Sequence, residues 1–229
     1  MNTIVNFGNP RKDMTVVADA VLGVYSTEDL KITGVEIYRK DNLLLTSAAY
    51  GAGMTLDTLA ELKSKDLFET GDIIMFVGSM GSLNEEKISL GDVVIPNPAG
   101  CAYYGFEGSW LQQDEHVLAL LTKALAAGSI RHREYKHGSS FAVFDPHTDH
   151  NRYTSSLYGK DVIGVDCGEV FVGIYFAKKN QMRAAAVLYC SDSPNLHIGD
   201  IGIEEFSKRA TETDILLNGI AAQICSVNS

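Results

Sequence analysis

Four short segments carry side chains suited to chemistry on a sugar, a base or an anion. Ser191-Asp192 closes the apolar run from Ala184 to Tyr189. A carboxyl group at a strand end can hand a proton to a departing group when its surroundings keep it protonated, although Ser and Asp also serve plain turns. Asp166-Cys167-Gly168-Glu169 stands between the apolar run Val162 to Val165 and a helical stretch. Glu169 there can accept hydrogen bonds from two neighbouring hydroxyls, or it is an acid favoured by the positive end of a helix. Val77-Gly78-Ser79-Met80-Gly81-Ser82-Leu83 follows another apolar run. Its glycines permit a tight turn whose N–H groups, with the Ser79 hydroxyl, would form an anion nest; an ordinary strand-to-helix turn is the alternative. Gly8-Asn9-Pro10-Arg11 follows the first strand. A guanidinium fork binds two phosphate oxygens together, whereas a surface arginine in a loop would look the same.

The elements that must position these groups alternate along the chain. Ile4 to Phe7 reads as a short strand, and Gly34 to Tyr38 with Leu43 to Ala49 as a hairpin around Lys40-Asp41-Asn42. Leu56, Leu59, Leu62 and Leu67 predict a helix over Met54 to Leu67. Ile73 to Val77, Asp92 to Ile95, Val162 to Val165 and Ala184 to Tyr189 are short apolar runs of the kind buried on both sheet faces. Helices are predicted from His116 to Ala127, stopped by Gly128, from Glu169 to Asn180, and from Ile203 to Cys225. Strands alternating with helices imply an α/β fold: a three-layer α/β/α sandwich around a mixed, twisted central sheet. Ligands of such sheets bind beyond the carboxyl ends of the strands, where three of the four segments fall.

Bulk properties narrow the class. The 229 residues show no repeat, low-complexity tract or linker, which favours one domain over residues 1–229. Apolar residues make up 45% and charged residues 21%, enough for a large core. A net charge of −10 opposes a nucleic-acid or acidic-membrane partner while leaving room for one small anion in a local pocket. Cys101, Cys167, Cys190 and Cys225 form no CxxC pair, which fits free thiols in a reducing compartment. The start Met1-Asn2-Thr3-Ile4-Val5-Asn6-Phe7 lacks the features of a signal peptide, and no run reaches membrane-spanning length, so a cytoplasmic protein is expected.

Taken in order, the segments resemble the nucleoside phosphorylase family, which holds the trimeric and hexameric purine nucleoside and uridine phosphorylases and the methylthioadenosine nucleosidases. The likeness spans most of the chain. It is clearest in Tyr50-Gly51-Ala52-Gly53-Met54, in Ile73 to Leu83 and in Ile88-Ser89-Leu90-Gly91-Asp92-Val93-Val94-Ile95. Glu169 and Ser191 stand 22 positions apart, as the family's sugar-binding Glu and its Ser-Asp pair do. The resemblance implies that Glu169, with Gly168 beside it, holds the ribose hydroxyls and that Asp192 protonates or hydrogen-bonds purine N7. It implies Phe144 and Ser191 at the base, and Gly8, Arg11 and Ser79 at phosphate. The implied reaction is phosphorolysis of a purine nucleoside to free base and ribose 1-phosphate, with inorganic phosphate as co-substrate and no other cofactor. Homo-oligomerisation as dimer, trimer or hexamer is also implied.

The departures concern phosphate and sugar. The family Arg three residues before the Ser of the Gly-Ser segment is Phe76 here, and no Arg lies near Thr27, where a second would be lent across a subunit interface. Lys12, Arg39 or a partner's side chain would have to compensate. The Met before the sugar Glu is Gly168, with an extra residue in Asp166-Cys167-Gly168. The hydrolytic branch's early Glu is missing too, since Glu28 is the first Glu of the chain. Hydrolysis is the alternative reaction, and a nucleoside-binding homologue without turnover the alternative class. Replacement of the uracil-reading Gln and Arg around Thr148 and His150 favours purine. Asp145-Pro146-His147-Thr148-Asp149-His150 holds metal-ligand types but no second cluster at a readable spacing, so no metal is expected. Gly51-Ala52-Gly53 is no dinucleotide loop, because the third glycine position is Leu56.

Overall fold

Uninterrupted apolar runs become the inner strands of one nine-stranded mixed sheet. The computed structural model describes residues 1–7, 14–24, 35–47, 51–101, 109–139, 161–193 and 203–227. The strands are β1 (Asn2–Asn6), β2 (Ile37–Lys40), β3 (Leu43–Ser47), β4 (Ile73–Ser82), β5 (Val93–Gly100), β6 (Trp110–Leu111), β7 (His132–Ser139), β8 (Gly164–Asp166) and β9 (Arg183–Asp192). Five helices are described: α1 (Met14–Leu22), α2 (Ala52–Ser64), α3 (Glu115–Ala127), α4 (Glu169–Lys179) and α5 (Ile203–Val227).

The side-chain alternation of β4 and β9 divides the core in two. Ile74 and Phe76 of β4, with Ala184, Ala186, Leu188 and Cys190 of β9, join the cluster beneath α2 and α4. Ile73, Met75 and Val77, with Ala185, Val187 and Tyr189, join the cluster beneath α1, α3 and α5. Three layers result, as the sequence predicts. The sheet also curls: β4 pairs β9, β9 pairs β5, β5 pairs β7, β7 pairs β8, and β8 returns to β4. Helix α4 touches β4, β5, β6, β7 and β9 of this curl and buries nearly all its sides, which is why its sequence is apolar all round.

Local chemistry accounts for the boundaries that matter. The Asp114 side chain accepts from the Val117 N–H at 3.0 Å and starts α3, and Gly128 caps its end. Asp41, at a φ of 51°, makes the two-residue turn of the β2–β3 hairpin.

The sequence reading needs correction at β4. The segment Gly78 to Ser82 is strand, neither turn nor nest, because β4 stays paired in parallel with β9 through Met80 opposite Cys190. A nest needs a residue in the left-handed region, and Gly78 and Gly81 are not there. Their glycines answer close approach instead: a Cβ at Gly78 would lie 2.7 Å from the Phe7 carbonyl oxygen, and one at Gly81 3.0 Å from Asp192 Oδ2. Three elements escape the sequence patterns altogether, α1, β6 and β7, and the strand read at Val162 to Val165 lies later, at β8.

Candidate active site

Asp166, the last residue of β8, organises the start of α4. Its Oδ1 accepts the Gly168 N–H at 2.8 Å and its Oδ2 the Val170 N–H at 2.9 Å, so one carboxylate satisfies two amides of the first turn. Gly168 caps the helix at a φ of 94°, a left-handed conformation that strains an L side chain.

That turn aims Glu169 inward. Its side chain is 1% exposed, and Oε1 accepts the Gly51 N–H at the start of α2 at 2.8 Å. Next to it the Ala52 N–H donates to the Cys167 carbonyl at 3.1 Å, so the N-termini of α2 and α4 are stapled together at this point. Glu169 Oε2 is buried and has no hydrogen-bond partner among the described residues. Burial, and then the charge of Asp166, push the Glu169 carboxyl well above the usual carboxylate range; the Gly51 N–H opposes them in part. The result is a buried acceptor with one oxygen fixed and one in need of a donor.

Asp192 approaches from β9. It ends the strand half-buried, with Oδ2 above Gly81. Ser191 Oγ lies 2.7 Å from Asp192 Oδ1 and 3.2 Å from the Met80 carbonyl oxygen; its one proton serves one of these acceptors at a time, and the hydroxyl links both only when Asp192 carries a proton to donate to it. The half-buried Cys167 ties the two acids together spatially. Its thiol is held protonated first by burial and then by the charges of Glu169, Asp166 and Asp192, three carboxylates within electrostatic reach of one sulfur. Val165 of β8 and Asp192 of β9 both pair with Gly81 of β4, which brings the turn leading to Glu169 and the end of β9 to the same stretch of the sheet, near the carboxyl end of β4. Such a pair of acids can hold hydroxyls with one member and exchange a proton with the other.

The anion groups are gathered less completely. Ser79, half-buried on β4, stands opposite Tyr189. Phe76 is wholly buried, and the tip of its ring comes so close to α4 that a Cβ at Gly173 would meet it at 2.2 Å. The position of the family Arg is therefore a packing position. Arg39 cannot replace it: with Met1, Asn2, Asp66 and Asp72 it lines a cavity of about 680 Å³ at the opposite, starting end of β1 and β4. Gly8, Arg11 and Phe144 lie outside the described residues, as do Lys12, Thr27, His147, Thr148 and His150. Among the described residues no group of His, Cys, Asp and Glu has the arrangement of a metal site, and no helix is long and apolar enough to cross a membrane. Sequence reasoning missed two contributors. Gly51 was legible only as part of a family phrase, and His137, whose Nε2 lies 3.7 Å from Asp166 Oδ1, sits in a charged stretch with no signal at all.

Comparison with known proteins places the fold. No family model matches the sequence, and no curated protein matches it. Solved structures do. Futalosine hydrolase of Helicobacter pylori is similar with a TM-score of 0.73 at 14% identity, over 97% of each chain. The Campylobacter jejuni 5′-methylthioadenosine/S-adenosyl homocysteine nucleosidase is similar with a TM-score of 0.74 at 10% identity, over 99% of this chain and 100% of that one. Toxoplasma gondii purine nucleoside phosphorylase, solved with immucillin-H, is similar with a TM-score of 0.67 at 15% identity, over 99% and 93%.

Proposed function

We propose that this chain, which has the nucleoside phosphorylase-like fold, cleaves the N-glycosidic bond of a purine nucleoside. The observation that supports the reading is a register: Asp192 of β9 and Val165 of β8 both lie against Gly81 of β4, and β8 runs through Asp166 into the turn that carries Glu169. In this reading Glu169 Oε2, the oxygen without a partner among the described residues, accepts from the ribose hydroxyls, and the Gly168 cap sets its direction. Asp192, oriented by Ser191, holds a proton at N7 of the base while Phe144 covers the base face. As the C1′–N bond loosens, electrons move onto the base and the sugar becomes oxocarbenium-like. An acid at N7 and negative charge near the sugar both lower that barrier. The three similar enzymes named above all carry nucleoside-processing names, which supports the substrate class.

The acceptor separates two readings. Phosphorolysis uses inorganic phosphate, held by Gly8, Arg11 and Ser79, and gives ribose 1-phosphate. Hydrolysis uses water, and the burial of Phe76 in the core favours it, because that position contributes no cation to an anion. One experiment tests both. Purified protein is given inosine or adenosine with and without phosphate, beside Asp192→Asn. Free base in both conditions means hydrolysis, and free base only with phosphate means phosphorolysis. The variant should lose turnover by about 10²-fold or more while still binding nucleoside. Unchanged turnover in the variant removes Asp192 from the mechanism, and binding without any product leaves a nucleoside-binding protein.

A further inference from the structure

We propose that His137 is a positioning residue of the sugar site, donating its Nε2 proton to Asp166 and so holding the start of α4 under Glu169. This deepens the reading of Glu169 as the sugar acceptor and rests on it.

The argument begins from an unanswered polar group. His137 lies on β7, opposite Ala99 of β5 and Gly164 of β8, and is 1% exposed. Neither ring nitrogen has a hydrogen-bond partner among the described residues. A buried imidazole has been stripped of water at both nitrogens and must regain an interaction to be worth burying. Its surroundings offer one strong partner. Nε2 stands 3.7 Å from Asp166 Oδ1, and a shift of under about 1 Å brings the pair to the hydrogen-bond distance of 2.7–3.2 Å.

On the other side of the ring the described neighbours include Gly164 and the Met80 side chain, whose thioether is at most a weak acceptor. Nδ1 lies 3.2 Å from where a Cβ at Gly164 would stand, beside the Met80 side chain, so an apolar wall backs the imidazole and only glycine leaves it room. The tautomer follows: the proton belongs on Nε2, facing the carboxylate. Asp166 is already committed through both oxygens to the amides of Gly168 and Val170. A third donor from behind completes a chain of contacts from His137 through Asp166 to the first turn of α4, whose first residue is Glu169. An imidazole that holds a carboxylate which in turn holds the working group is an arrangement that fixes geometry without touching substrate.

The test uses the folded wild-type protein first. Long-range ¹H–¹⁵N spectra of the imidazoles, with the His137 signals assigned by their loss in His137→Gln, should report a protonated Nε2; an Nε2 without a proton overturns the proposal. The second arm compares His137→Gln, which keeps a donor at this reach, with His137→Met, which fills the same space without one. Hydrogen exchange at the Gly168 and Val170 amides should quicken about tenfold or more in the Met variant and stay within a few-fold of wild type in the Gln variant. Equal exchange in the two variants would mean that His137 only fills space. Should the Met variant not fold, the same comparison is made in Asp166→Asn, where exchanging His for Gln should have no further effect; a persisting effect means His137 does not act through Asp166. The third arm measures affinity for a purine riboside and for its 2′,3′-dideoxy analogue by calorimetry. The riboside preference should fall in the Met variant and recover in the Gln variant. Absence of riboside binding in wild type sinks the nucleoside reading, while the tautomer and exchange arms still decide the His137 coupling.

Discussion

Replacing Glu169 with Gln separates what the site costs the fold from what it does. Gln keeps an oxygen for the Gly51 N–H and removes the charge that burial and Asp166 oppose. The unfolded chain releases this proton near pH ~4.3, whereas the folded chain keeps it to higher pH because its carboxyl is pushed upward. Over that interval the folded state binds more protons than the unfolded one, so stability falls as pH rises. The contribution is complete below the unfolded value and is lost on climbing through the folded one. For a single group the slope is at most about 1.4 kcal/mol per pH unit. The variant lacks this slope. It carries in exchange a pH-independent cost of about 1–3 kcal/mol, because its amide nitrogen replaces an oxygen that has no partner among the described residues. The stability difference between variant and wild type should therefore change with pH by about 1–3 kcal/mol between pH ~4.5 and pH ~7, moving in favour of the variant. Urea unfolding midpoints at several pH values read this directly. Binding moves the other way. Loss of the Oε2 acceptor for the sugar hydroxyls, a neutral hydrogen bond worth about 0.5–1.5 kcal/mol, weakens a riboside by about 2- to 10-fold and a 2′,3′-dideoxy analogue little. Parallel stability curves would show that Glu169 ionises in the folded state as it does in water, and the account of the site as a buried acceptor would then fail.

Two further substitutions probe the walls. Gly81→Ala places a methyl 3.0 Å from Asp192 Oδ2 and must displace it; turnover should fall about tenfold or more while unfolding changes by under about 1 kcal/mol, and a kinetic assay beside a thermal melt would expose the idea if turnover held. Phe76→Arg restores the family side chain at a position that is core here, so it should cost several kcal/mol, on the order of 4 or more, without creating phosphate-dependent turnover. A stable Phe76→Arg protein stimulated by phosphate would overturn the packing argument.

The layers and both acids were legible because each left a local mark. Apolar runs buried on both faces announce inner strands such as Ile73 to Val77, and Glu169 and Ser191 keep their spacing because one helix and one strand separate them. What escaped was written in long-range geometry. Strand β7, His-Arg-Glu-Tyr-Lys-His-Gly-Ser, carries Arg133, Glu134 and Lys136 and has no apolar period, yet it pairs with both β5 and β8. The sequence reading places a strand over Asp92 to Ile95, before Pro96 and Pro98. Strand β5 continues to Gly100 because its register to β7 shifts between Pro96 and Ala99, which accommodates residues without an N–H. The glycines of β4 looked like turn residues because sequence cannot distinguish freedom of the backbone from lack of space. Phe7 and Asp192, distant in the chain, supply the space limit.

The same acids that define the site bear on which acceptor attacks. The charges of Glu169, Asp166 and Asp192 all act to keep the Cys167 thiol protonated. Among the described residues, the fields felt by Glu169 and Cys167 come from burial, carboxylates and backbone amides, and from no cation. In the proposed reading Glu169 holds its proton and Asp192 carries the proton for N7, so the case against phosphate rests on cations rather than on carboxylate charge. A phosphate reaction at this site would have to bring its own cations, and of the phosphate residues implied by the sequence only Arg11 carries one. Water needs no such cation, so the buried Phe76 and the lack of a cation in the fields felt by Glu169 and Cys167, among the described residues, favour the same acceptor.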